Sequence, residues 1–177
     1  AKQIWDSLYR EKKIHRLIRR AVFWSSITGN GFIKSWWDEE KEDLISQQMG
    51  DICFESITPF HFFVPDLKEI ELENQPFVIH AADRDYEHLK LLYGRDLKSS
   101  KDSKEQLDES LSNVMGIQNA KQRDSILTLE MWVKPNHCKL WPSGGMITVA
   151  GNDILAITDG MPYEHKQFPF AHLQHIE

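Results

Sequence analysis

At Gly29-Asn30-Gly31 the hydrophobic rhythm of the chain changes. Before this point Ile4, Leu8, Ile14, Leu17, Ile18, Ala21 and Val22 recur largely at three- and four-residue intervals, with Arg10, Lys13, Arg16 and Arg20 between them. Residues spaced in this way share one face of a helix, so the segment reads as a single amphipathic helix of roughly six turns. Two glycines around an asparagine accept the positive φ angles that stop a helix and open a tight turn. Beyond them the apolar residues gather in short runs bounded by turn formers, the pattern of strands. The expected fold class is α+β, with a long N-terminal amphipathic helix followed by a mostly antiparallel sheet or meander carrying one or two short helices.

The strand signals fall in sequence order. Residues 32–37 and 51–57 read as the arms of a hairpin whose loop holds the acids of 38–43 and Ser46, Gln47 and Gln48. Residues 58–66 are aromatic and β-branched and are framed by Pro59 and Pro65, which forbid a helix and suit a short edge strand. Residues 77–80 form another strand, and Asp83 is placed to cap a helix over 86–93 that Gly94 stops. Strands over 127–133, 146–149 and 154–157, with Gly151-Asn152-Asp153 as a hairpin turn, make the back half a β-meander. Between these, residues 95–123 are polar and repetitive, and the expectation is a mobile insertion with a marginal helix near 104–114. With neither an internal repeat nor a heptad run, residues 1–177 are expected to form one domain.

Composition limits the function classes. At 177 residues and 41% hydrophobic content the chain can bury a core and is too apolar for a disordered segment. It holds no run of eighteen apolar residues, and its start lacks the pattern of a secretory signal, so no membrane association is expected. The start without Met suits a piece of a longer chain. Cys53 and Cys138, far apart and outside any CxxC spacing, read as reduced thiols. Residues 1–27 carry seven Lys or Arg against two acids, whereas residues 28–177 carry fourteen against twenty-five. A net charge of −6 argues against a free-standing nucleic-acid binder. The basic helix face is either solvated or meets an acidic neighbour or DNA.

Catalytic patterns are not seen. There is no GxSxG elbow and no glycine-rich loop of Walker or Rossmann spacing, and the carboxylates occupy loops where acid and base roles cannot be assigned. His165, His172 and His175 are the densest histidine cluster, and they would be the ligands of a metal-dependent hydrolase; no HExxH or cysteine pair completes such a site. The expectation is no enzyme, with no catalytic, cofactor-binding or metal-binding residues. Six tryptophans offer large contact areas. Trp36 and Trp37 are adjacent, so in a strand they face opposite sides, one toward the core and one outward. Arg16, Arg20, Trp36 and Trp37 are the candidate subunit-interface residues. A β-rich adhesion or carbohydrate-binding module using exposed tryptophan is a third reading.

The order of these segments is similar to that of the tailed-bacteriophage portal proteins. The basic helix leading into Ile27-Thr28-Gly29-Asn30-Gly31-Phe32-Ile33-Lys34-Ser35-Trp36-Trp37-Asp38 resembles the portal pattern of a helix, a glycine turn and a strand ending in Trp-Asp. The strand from Gly50 to Ile57, followed by Thr58-Pro59 and a short strand ending at Val64-Pro65-Asp66, resembles the next element, although its Pro and Asp stand in reverse order. Leu92-Tyr93-Gly94, Thr128-Leu129-Glu130-Met131-Trp132-Val133-Lys134-Pro135 and the closing Met161-Pro162-Tyr163 to Phe168-Pro169-Phe170 continue the resemblance in order, outside 95–123. The resemblance implies the outer wing-like part of a portal subunit. It also implies self-association into a ring, commonly a dodecamer, that docks the terminase motor, the capsid and tail or adaptor proteins. Double-stranded DNA would pass through the ring without sequence-specific contacts. The expected location is the capsid portal vertex of the virion, with assembly in the host cytoplasm.

Overall fold

The structure, a computed structural model, describes residues 2–43, 48–95, 97, 115 and 125–175, with backbone alone for 40–43, 48 and 49. The expected insertion over 95–123, with its helix near 104–114, lies outside the described residues except at 95, 97 and 115. Three α-helices are present among them: α1 (Lys2–Glu11), α2 (Ile14–Thr28) and α3 (Tyr86–Tyr93). The strands are β1 (Asn30–Asp43), β2 (Gln48–Ile57), β3 (Phe62–Phe63), β4 (Phe77–Asp85), β5 (Ser125–Val133), β6 (Gly145–Ala150), β7 (Asp153–Asp159) and β8 (Phe170–Gln174). They form two compact units, Ala1–Pro59 with Pro169–Glu177, and Phe60–Phe168. None of the described helices is long and apolar enough to cross a membrane.

The single long N-terminal helix expected from the periodicity is not found; the first helix ends after 10 residues and a second begins at Ile14. The cause lies in the phase of the apolar residues. Six positions separate Leu8 from Ile14, and residues 10–13 are all charged. At 100° per residue, one continuous helix would set the Ile14, Leu17, Ala21 and Trp24 stripe roughly 140° around the axis from Ile4 and Leu8. Lys13 resets the phase by adopting the left-handed conformation (φ 52°, ψ 39°), which costs an L-residue about 1–2 kcal/mol. Lys12 at the same break is held to β2 by an ion pair with the Asp51 carboxylate.

In the first unit α2 buries Ile14, Ala21, Trp24 and Ser25, whereas α1 buries no residue. Gly29 ends α2 in the left-handed region (φ 85°), its N–H donating to the Ser25 carbonyl at 2.9 Å. The sheet order is β2-β1-β8, antiparallel throughout. A Cβ placed on Gly31 would collide with the Ala21 backbone carbonyl. Glycine at this position therefore lets the helix lie directly on the strand it precedes. The acidic run 38–43 is not a hairpin loop as expected: β1 continues to Asp43, which pairs with Gln48 after a register shift between Asp38 and Glu42. Ladder pairing uses backbone groups, so acidic composition alone does not end a strand.

The second unit is a five-stranded sheet in the order β3-β4-β5-β6-β7, with every pair antiparallel. β3 is a two-residue edge strand between Pro59 and Pro65, as prolines on both sides dictate. α3 lies on the sheet through Leu89, which joins Leu97, Ile126 and Ala150 in a buried cluster flanked by Tyr86, Tyr93 and Leu155. The N-cap of α3 is Asp85 and not the expected Asp83. Asp85 Oδ1 accepts the His88 N–H at 2.9 Å, while Asp83 is still within β4, opposite Leu127. Continuation of β4 past its apolar stretch to Asp85 moves the cap from 83 to 85.

Candidate assembly surface

The strong packing of α2 on one side defines what remains on the other. With Ala21 and Trp24 turned inward, Arg16, Arg20, Phe23 and Ile27 follow one another at intervals of four, three and four, and all four side chains are exposed. They form one stripe: two guanidinium groups near the start of the helix, then two apolar side chains toward its end. Phe23 and Ile27 are 47% and 52% exposed, although each offers an apolar surface of a size normally buried. Among the described residues neither arginine has an ion-pair partner. The stripe is therefore amphipathic and positively charged, with its guanidinium groups available to carboxylates.

Trp36 and Trp37 lie on opposite faces of β1, as strand alternation requires. Trp36 is half-buried, and the buried Lys34 places its ammonium 5.1 Å from the Trp36 ring centroid and 5.9 Å from that of Phe170. Such cation–π contacts contribute on the order of 0.5–2 kcal/mol each. They make Trp36 a link between β1 and β8. Trp37 is 50% exposed, and its indole lies flush against Gly50 of β2, where a side chain would collide with the ring. Trp37 thus presents a supported aromatic surface. The four candidate residues fall in the same unit: Arg16, Arg20 and Trp37 are exposed, and Trp36 is half-buried against Lys34.

The C-terminal histidines are engaged separately. His172 lies in β8, stacked on Phe32 with ring centroids 4.7 Å apart and hydrogen-bonded to Asn30 Oδ1 at 2.8 Å. His165 accepts the Gln167 N–H on Nδ1 at 3.0 Å and stacks on Tyr163 at 5.4 Å, which in turn stacks on Trp132 at 6.1 Å. His175 lies one residue beyond β8, its N–H donating to the Gly29 carbonyl at 3.0 Å. Among the described residues no group of three or more His, Cys, Asp or Glu is arranged to hold a metal ion.

Sequence reasoning overlooked Phe23 and Ile27 as surface residues. The signal was present: both continue the Arg16–Arg20 spacing and fall outside the phase of Ile14, Ala21 and Trp24. Spacing alone hides it, because the phase of the apolar residues changes at the break at Lys13. No protein-family model matches the sequence, and no curated protein matches it.

Proposed function

We propose that this chain is a structural, ring-forming segment of a tailed-bacteriophage portal protein. It would contribute to the DNA conduit at the capsid vertex during packaging and ejection and would have no catalytic role. The observation that carries the reading is the exposed stripe Arg16, Arg20, Phe23 and Ile27 on a helix whose other face is fully committed to its own sheet. A stripe with both apolar surface and cations that have no ion-pair partner among the described residues suits a protein partner better than solvent. The order of helix, glycine turn and a strand that carries Trp36-Trp37-Asp38 supports the portal assignment, although this strand continues to Asp43. In this reading the subunit sits at the portal vertex of the virion and assembles in the host cytoplasm. The terminase motor, capsid and tail or adaptor proteins bind the completed ring, and double-stranded DNA passes through it without base-specific contacts.

Negative-stain electron microscopy of the full encoded protein tests this. Rings with a central hole are the expected result. Well-folded monomers at every concentration and salt condition would overturn the portal reading.

A further inference from the structure

The second unit carries a surface chemically complementary to the α2 stripe. Residues 66–75 leave the sheet after β3 and return to β4, and the sequence Asp66-Leu67-Lys68-Glu69-Ile70-Glu71-Leu72-Glu73-Asn74-Gln75 holds four acids against one lysine. Leu67 and Ile70 are 89% and 59% exposed. A flexible loop with two such side chains would fold them inward or leave them disordered in solvent; this one is fixed from below. Gln75, only 1% exposed, donates from Nε2 to the Asp66 carbonyl at 2.6 Å and to the Glu69 carbonyl at 3.1 Å, and its Oε1 accepts the Asp66 N–H at 3.3 Å. Leu72 is buried at the foot of the loop, in a single 3-10 turn.

Further bonds settle the acids themselves. Asp66 Oδ1 accepts the Lys68 N–H at 2.9 Å and Glu69 Oε1 accepts the Glu71 N–H at 3.0 Å, which hold the turns on either side of Leu67 and Ile70. Glu73 is paired with Lys134 at 3.1 Å. Asp66, Glu69 and Glu71 stand beside the two protruding apolar side chains and have no ion-pair partner among the described residues. The result is a preformed knob of two aliphatic residues with carboxylates around it. Ordering such a loop before contact removes part of the entropy that association otherwise costs.

We infer that the 66–75 knob of one copy of this chain docks on the Arg16–Arg20–Phe23–Ile27 stripe of α2 in a second copy, in a head-to-tail contact. Leu67 and Ile70 meet Phe23 and Ile27, and Glu69 and Glu71 meet Arg16 and Arg20. The inference rests on the assembly reading above and names the surface that the stripe recognises. A second copy is favoured over DNA because the stripe is half apolar, and because an acidic, apolar surface of matching composition exists on the same chain. The two patches differ: copies that pair reciprocally use up both, whereas in the head-to-tail contact each copy keeps one free patch, which leads to a closed ring or an open chain of subunits.

Charge reversal with mixing tests this. Arg16→Glu/Arg20→Glu removes the basic stripe and Glu69→Lys/Glu71→Lys removes the acidic knob; circular dichroism establishes that each variant is folded. In sedimentation velocity the wild-type protein is expected to associate with rising concentration and to dissociate at about 1 M salt, where the screening length is about 3 Å. Each variant alone is expected to self-associate at least about tenfold more weakly, which corresponds to about 1.4 kcal/mol. An equimolar mixture of the two variants retains one wild-type pairing, the Arg helix of one against the Glu knob of the other. Its other pairing sets the two reversed patches against each other, again with opposite sign, so the mixture is expected to associate more strongly than either variant alone and to approach wild type.

A mixture that stays monomeric where wild type associates would overturn the inference. So would variants that assemble as wild type does. Loss of affinity for a duplex DNA probe in Arg16→Glu/Arg20→Glu, with self-association unchanged, would overturn it in favour of nucleic acid. The portal reading is judged separately: rings of the full encoded protein that survive both charge reversals would refute this contact and leave that reading in place. Association restored in the mixture, with no rings from the full encoded protein, would do the opposite.

Discussion

The two units of this molecule obtain their sheets in different ways. In the Phe60–Phe168 unit, β4, β5, β6 and β7 pair in the order they are made, and each strand finds its partner across the next turn or connection. In the other unit, β1 pairs with β2 by a hairpin, but its second edge is closed by β8, which the chain supplies only after the whole of Phe60–Phe168. Local pairings form at low loop-closure cost, whereas the β1–β8 ladder must overcome the entropy of closing a long intervening segment. The first unit compensates with dense contacts at that seam: Lys34 lies between Trp36 and Phe170, His172 stacks on Phe32, and the Ser35 N–H donates to the Pro169 carbonyl at 2.9 Å.

This contrast gives the largest expected effect. Truncating the chain before Pro169 removes β8 and should collapse hydrogen-exchange protection in α2 and β1, while amides of β4 to β7 keep theirs. Protection in β1 that survives the truncation would mean that the hairpin and α2 suffice, and that β8 is an accessory edge.

Single substitutions sharpen the same comparison. Trp24→Ala empties the largest fully buried side chain of the first unit and should destabilise it by about 3–5 kcal/mol. In urea, a fluorescence or near-ultraviolet signal from the first unit should move to lower denaturant while exchange protection around Ile126 in the second changes little. A single common transition that moves as a whole would show that the units unfold together. Gly31→Ala should cost less, about 1–3 kcal/mol, because the added methyl meets the Ala21 carbonyl and α2 must move away from β1. Its midpoint, read by the same urea titration, should shift in the first unit only.

What could be read from the sequence follows the same division. The meander of the second unit was legible because its strands alternate and its turns carry Gly151-Asn152 and flanking prolines, which are local signals. The helix stop at Gly29 and the strand after it were legible for the same reason. β8 was not, since Phe170-Ala171-His172-Leu173-Gln174 is short, mixed in polarity and defined by a partner far away in sequence. The break at Lys13 required phase and not only spacing. The 66–75 knob was hidden more deeply: nothing local distinguishes Gln75 as a buried pin from an ordinary loop glutamine, and without the pin Leu67 and Ile70 read as further apolar residues.

The smallest expected effect concerns α3, where the second unit itself departs from the expected pattern. Asp85→Ala removes the side-chain acceptor of the His88 N–H and should cost about 1 kcal/mol, the usual size of an N-cap loss. The effect should be confined to α3 and its contact through Leu89, because β4 and β5 are held by their own ladder from Phe77↔Val133 to Asp85↔Ser125. Asp83→Ala discriminates the two cap assignments. If Asp85 is the cap, exchange of the His88 amide accelerates in Asp85→Ala and is unaltered in Asp83→Ala. The reverse pattern would place the cap where the apolar stretch ends, with β4 shorter by two residues. Since α3 covers Ile126 and Ala150, faster exchange at His88 without change at Ile126 would also show that the sheet of this unit holds without its helix, as strands joined to their sequence neighbours should.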